Sequence, residues 1–162
     1  MVFTHEASVG LPLSAIRLDE WLFNLSEKDY KACARGHRAV GTNGGPKFIG
    51  MVNVESMAGA LIIQHYRTEL LEVNHVRLFS ERSRAYLMHF LPFHLQVGWE
   101  MQVSSVTAEE SRLRCTIDVR NPLWVRCIGL FNATNYWIRQ HLVEETKGFA
   151  HDLTRKGLNR AA

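Results

Sequence analysis

The chain has 162 residues, 46% of them hydrophobic and 22% charged, with a formal net charge of +3. That length and composition describe a single globular domain with room for a real core, 1–162. The charge is too mild and too scattered to argue for a nucleic-acid partner; the one local concentration, Arg155, Lys156 and Arg160, falls in a tail expected to fray. No apolar run approaches the ~20 residues of a membrane span, and MVFTHEASVGLPL lacks the pattern of a signal peptide. Cys33, Cys115 and Cys127 are widely spaced with no C-x-x-C, which fits buried thiols in a reducing cytoplasm.

In chain order, Val2 to Val9 has strand character and ends at Gly10 and Pro12. Leu18, Trp21, Leu22 and Leu25 have helical spacing. Ser26 and Asp29 stand at the spacing of a capping-box variant, so a second short helix follows. Gly41 to Pro46 is the strongest turn signal; without a following Lys-Ser/Thr it is not a phosphate loop but a hairpin or loop between strands. From Phe48 to Val119 the pattern is mostly β. Phe48, Gly50, Val52 and Val54 alternate with more polar neighbours, and Ala60–Tyr66, Val73–Phe79 and Arg84–Leu91 follow as strands. Leu95, Val97, Trp99, Met101 and Val103 alternate cleanly with polar residues, as do Leu113, Cys115, Ile117 and Val119, the pattern of an antiparallel meander with one wet face.

Leu123 to Lys156 reads as one long amphipathic helix with Pro122 in its first turn. Leu130, Phe131, Thr134, Trp137, Ile138, His141, Leu142, Glu145, Phe149 and Leu153 recur at three- and four-residue steps. His141 and Glu145, four apart, share a face that is otherwise apolar, where a carboxylate needs a partner. The pair can be a hydrogen-bonded unit at the core edge, or a metal-ligand or acid/base pair facing a cavity.

The element order is strand, two short helices, about six strands and a long last helix. It resembles the START/Bet v 1-like superfamily, which includes polyketide cyclases and lipid-transfer proteins. The likeness rests on the Leu11-Pro12 step, the Gly41–Gly45 loop, the meander and the Trp124–Leu153 helix. It implies an α+β helix-grip fold, a curved antiparallel sheet of about six to seven strands wrapped around the C-terminal helix. It also implies a cavity for small apolar or aromatic molecules. The H-x-x-x-E of His141 and Glu145 is similar to the helix pair of phloroglucinol-type hydrolases. That similarity implies zinc, which the sequence does not by itself require.

Within such a cavity His65 shares strand parity with Leu61 and Ile63 and is a third candidate for catalysis and metal binding beside His141 and Glu145. Glu55 has the parity of Ile49 and Met51, with its direction open, and Glu100 opposes Trp99 and is expected in solvent. Tyr66, Tyr86, Trp99, Phe131, Trp137 and Ile138 are the candidate ligand-lining residues. Two functions follow. One is a hydrolase, cyclase or lyase of a polyketide-like molecule, using His141 and Glu145 with or without a metal. The other is a non-catalytic carrier of an apolar ligand, in which the pair is structural. A thioesterase-like fold fits less well, because the longest helix comes last. A second copy of the chain is compatible with the sequence as a partner.

Overall fold

In the computed structural model, which describes residues 1–45, 48–57, 59–125, 127 and 133–161, seven strands form one antiparallel sheet. They are β1 (Val2–Val9), β2 (His37–Gly45), β3 (Phe48–Met57), β4 (Ala60–Glu72), β5 (His75–Leu87), β6 (Leu91–Ser105) and β7 (Ser111–Arg120). Their order across the sheet is β1-β7-β6-β5-β4-β3-β2. Strands β2 to β7 are therefore a meander in which each neighbour in sequence is a neighbour in space, and β1 closes the far edge against β7. The β1–β2 connection carries α1 (Leu18–Phe23) and α2 (Glu27–Cys33) across the opening. The long helix α3 (Thr134–Ala161) lies over the concave face. This is a helix-grip fold.

The alternation that makes the strands also chooses their inner face. Phe93, Leu95, Val97, Trp99, Met101 and Val103 of β6 and Leu113, Cys115 and Val119 of β7 are buried under the helix. The register of β4–β5 is broken between Ile63 and Arg67, and that of β5–β6 between Ser80 and Ser83. There the buried Ser80 hydroxyl accepts the His65 N–H at 3.1 Å and the Ser83 hydroxyl at 2.8 Å, so the irregularity leaves those groups paired. Such bulges bend a sheet, which lets this one curl around α3.

Helix α2 begins as its sequence implies: Ser26 Oγ accepts the Asp29 N–H at 3.1 Å and donates to Asp29 Oδ2 at 2.7 Å. Phe149 is wholly buried, with the rings of Trp21, Trp99 and His37 at 5.2, 5.7 and 5.8 Å. One helical turn on, Asp152 accepts the Trp21 indole N–H at 2.8 Å and pairs with Arg155 and Lys156, both of which also reach Asp29 of α2. Arg155 and Lys156, expected to fray, instead clamp α3 to α2.

Three other expectations change. The long helix does not run from Pro122: residues 123–125 are helical, but Ala133 has φ 50° and α3 starts at Thr134. Left-handed backbone at a non-glycine residue interrupts a helix. Gly41 to Gly45 are strand, paired with Phe48 to Val52, and residues 46–47 of the expected turn lie outside the described residues. Val73–Phe79 and Arg84–Leu91 merge into β5, which ends at Leu87. Among the described residues no helix is long and apolar enough to cross a membrane, and the described cysteines are free thiols.

The packing fixes a contrast between two aromatic residues of α3. Phe149→Ala is expected to cost about 3–5 kcal/mol, the range for emptying a buried aromatic site. Trp137, at 51% exposure, does not lie in the core as its spacing implied. Trp137→Ala is expected to stay within about 1 kcal/mol. Urea unfolding of the two variants against the parent checks both values.

Candidate functional site

Four ionisable side chains from three distant parts of the chain meet beneath α3: His37 at the start of β2, Glu55 near the end of β3, and His141 and Glu145 on α3. All four are buried, and one potential ligand atom from each lies within 4.8 Å of every other. His37 Nε2 is 3.4 Å from Glu145 Oε1, and His141 Nε2 is 3.6 Å from Glu55 Oε2.

Each element delivers its residue for a local reason. Ile49, Met51, Asn53 and Glu55 are the buried residues of β3, while Val52 is 41% exposed. The inward parity is thus that of Ile49 and Met51, not the Gly50–Val52–Val54 set that apolar alternation suggested. His141 and Glu145 lie one turn apart on the buried face of α3, with Ile138, Leu142 and Phe149. His37 is brought in by two glycines. A Cβ on Gly36 would sit 2.8 Å from His141 Cε1, and one on Gly148 would sit 2.2 Å from the Cys33 carbonyl oxygen. Only backbone without side chains there allows α2 and the first residues of β2 to come this close to α3.

A second layer orients two of the four, Glu55 and His37. Tyr30 of α2 donates its hydroxyl to Glu55 Oε1 at 2.7 Å, and Asn53 Nδ2 donates to that same oxygen and to the Tyr30 hydroxyl, each at 2.9 Å. Glu55 Oε1 is therefore occupied, and Oε2 is the oxygen turned to His141. His37 Nδ1 lies 2.6 Å from the Tyr30 carbonyl oxygen, which can only accept, so Nδ1 carries the proton. The rings of Tyr30 and His37 stack with centroids 3.7 Å apart, fixing the imidazole plane. The neutral ring then points the bare lone pair of Nε2 at a carboxylate.

That arrangement is incomplete. His37 Nε2, His141 Nε2 and Glu145 Oε2 are buried with no hydrogen-bond partner. Two carboxylates and two neutral imidazoles carry a charge of −2, costly in a buried place unless a cation compensates it. Burial alone would push the His37 imidazole down, but the Glu145 carboxylate 3.4 Å away, with the charge of Glu55, holds it above the ordinary histidine value. A divalent cation would answer all of that charge: two nitrogens and two carboxylate oxygens form a donor set suited to zinc, and those of His37 and Glu55 have their other polar atom tied back. Burial, then the charge of Glu55, also pushes the hydroxyl of Tyr30 well up, as it does for Tyr66, so both remain phenols. Burial pushes the Cys33 thiol up to about 12 and Cys115 higher still, which makes both inert.

Glu55 also opens onto a cavity between sheet and helix. Its walls are apolar, from Met57, Ile62, Leu95, Val97, Ile117 and Ile138 among others, with Gln64, Asn121 and Thr134 as polar exceptions. Its volume is about 70 Å³. A water needs about 10–15 Å³ on that measure, and an apolar cavity that takes benzene has about 150 Å³. The cavity as it stands is about half that size.

The residues singled out from sequence fall in different places. Ile138 lines the cavity. Tyr66 and Trp99 are buried in the core, their rings 6.0 Å apart, and do not line it. Tyr86 is half-buried and Trp137 points outward. Phe131 lies outside the described residues. His65 is exposed: the inward set of β4 is Ala60, Ile62, Gln64 and Tyr66, opposite in parity to Leu61 and Ile63. Glu100 is on the outer face, 2.6 Å from His75 Nε2. His37, Tyr30 and Asn53 carried no sequence signal of their own.

No protein-family model matches the chain, and no curated protein does. Solved structures do. TTHA0849 from Thermus thermophilus is 13% identical with a TM-score of 0.69, covering 100% of each chain. A START superfamily protein from Mycobacterium smegmatis is 10% identical with a TM-score of 0.63, covering 94% of this chain and 99% of that one. The Zhui aromatase/cyclase from Streptomyces sp. R1128 is 11% identical with a TM-score of 0.57, covering 100% and 96%. What is shared at such identities is the helix-grip fold, which the START superfamily protein also has.

The close approach at Gly148 has a testable sign. Gly→Ala inside a helix ordinarily stabilises by about 1 kcal/mol. Here the added methyl would overlap the Cys33 backbone, which cannot rotate away, so Gly148→Ala is expected to destabilise by about 1–3 kcal/mol or more. Gly157→Ala, whose methyl would meet only the movable Leu11 side chain, is expected to be milder. Thermal unfolding of the two variants side by side gives the comparison.

Proposed function

We propose that the protein is a divalent-metal-dependent hydrolase of small, largely apolar carbonyl compounds of aromatic or polyketide-like type. The metal, zinc by its donor chemistry, would be held by His37, Glu55, His141 and Glu145. The observation that carries this reading is the convergence of four buried ligand residues, with His37 Nε2, His141 Nε2 and Glu145 Oε2 unpaired, one of the four, Glu55, also lining an apolar cavity. A carrier of apolar ligands would need the cavity but not the four ionisable groups, whose burial only costs stability. When bound, zinc supplies Lewis-acid polarisation of a carbonyl and a lowered pKa for a coordinated water.

The chain's own groups supply the rest. The Tyr30 hydroxyl and the Asn53 amide hold Glu55 in one rotamer. The Tyr30 carbonyl keeps the His37 proton on Nδ1, so that Nε2 stays a free base. The apolar walls exclude bulk water and hold the hydrocarbon body of the ligand, leaving its carbonyl as the part that meets the polar floor. Hydrolytic cleavage beside that carbonyl, of an ester or of a carbon–carbon bond to an acyl group, is the reaction class that this division of roles serves.

The test begins with metal content. Protein purified without added chelator is expected to contain zinc or another divalent ion in near-stoichiometric amount, lost in His37→Ala and Glu145→Gln. Chelation should lower the melting temperature and zinc should restore it, because a ligand that binds only the native state stabilises it by RT ln(1 + [L]/Kd), about 2.7 kcal/mol at a hundredfold excess over Kd. The loaded protein is then offered acylated phenols, with release of the carboxylic acid followed by NMR. A chain that takes up no divalent ion, with an unfolding curve indifferent to zinc, would remove the metal and this mechanism together.

A further inference from the structure

Gln64 stands out among the residues that line the cavity. It is buried, at 5% exposure, in the middle of β4, and its Oε1 has no hydrogen-bond partner. Every other inward side chain of β4 from Ala60 to Tyr66 is a hydrophobe or a tyrosine. An amide among them costs stability unless something meets it. Its cross-strand partner in register is Asn53. The Asn53 amide is fixed, because its Nδ2 gives hydrogen bonds to Glu55 and Tyr30 and its Oδ1 is left buried and unpaired. Directly opposed residues hold their Cβ atoms about 4.5–5.5 Å apart. Turning the Gln64 amide about its last bond so that its NH₂ meets Asn53 Oδ1 would satisfy that oxygen and set Gln64 Oε1 toward the cavity as an acceptor. On β4 the cavity wall then carries one neutral hydrogen-bond acceptor among apolar neighbours.

We propose that Gln64 is a specificity-determining residue: its amide oxygen accepts a hydrogen bond from a hydroxyl on the body of the ligand, set apart from the carbonyl that meets Glu55 and its neighbours. This rests on the reading of the cavity as the ligand site. A site with a buried acceptor discriminates against an isostere that lacks the donor, because the acceptor is left dry and unpaired. An apolar wall in its place would accept either molecule almost equally. The residue therefore sets a preference for hydroxylated over purely hydrocarbon ring substituents.

The experiment uses the purified full chain and three pairs of probes: the ortho, meta and para hydroxyacetophenones, each beside the methylacetophenone of matching substitution. Dissociation constants come from titration calorimetry. For at least one pair the wild-type protein is expected to bind the hydroxyl compound about tenfold more tightly than its methyl isostere, the size of one unmade buried hydrogen bond. Gln64→Met keeps the length of the side chain and removes the acceptor; it should erase or invert that preference while still binding the methyl compound. Gln64→Leu serves the same comparison if the methionine variant folds poorly. Equal binding within every pair by wild-type protein overturns the proposal, as does a hydroxyl preference that survives in both variants; in either case the cavity still stands as the ligand site. Failure of all six compounds to bind overturns the proposal and the ligand-site reading at once.

Discussion

Burying Glu55 and Glu145 within a few ångströms of each other is the constraint around which the polar interior is arranged. Neither carboxylate can reach bulk water, and the two would repel in a medium that screens poorly. The chain answers with donors aimed at one oxygen of Glu55, with two imidazoles set between the carboxylates, and with a histidine ring whose proton is committed elsewhere. What remains after these answers is a deficit of positive charge at one point. A surface acidic cluster shows no such economy of geometry, since water and salt would satisfy it.

The hydrophobic part of the fold serves the same point. The sheet curls because its bulges bend it, the helix is held because Phe149 and the Asp152–Arg155–Lys156–Asp29 clamp hold it, and two glycines remove the bulk that would keep the layers apart. The distance between His37 and Glu145 is set by these contacts and not by the pair itself. An attraction between a histidine and a carboxylate is too weak to pull a helix and a strand together; the packing brings them there and the charges follow.

Much of this architecture was legible from residue order. Clean period-two alternation in β6 and β7 states a face, and the four-residue spacing of His141 and Glu145 puts both on one side of the helix; the alternating rows and the helix pair are buried. β3 and β4 were harder because apolar residues occur on both of their sides. Val52 and Val54 masked the inward row of Ile49, Met51, Asn53 and Glu55, and Leu61 and Ile63 lent His65 an inward parity that belongs to Ile62 and Gln64. β2 was hidden by its glycines, threonine and asparagine, which read as a turn but here pair along an edge of the sheet. His37 could not be found at all from local pattern, because what makes it inward is the contact of Gly36 and Gly148 with chain segments a hundred residues away.

The topology also dictates an order of events during synthesis. Six of the seven strands are joined by short connections and can pair as they appear, whereas α3 comes after all of them. At about 5–20 residues per second, the last helix follows the completed sheet by a few seconds. Throughout that interval the concave face, with Trp99, Met101 and Leu113 on it, has nothing to cover it. The nascent chain is therefore most exposed to chaperones, and to its own neighbours on a polysome, just before it becomes able to hold its four ionisable groups together.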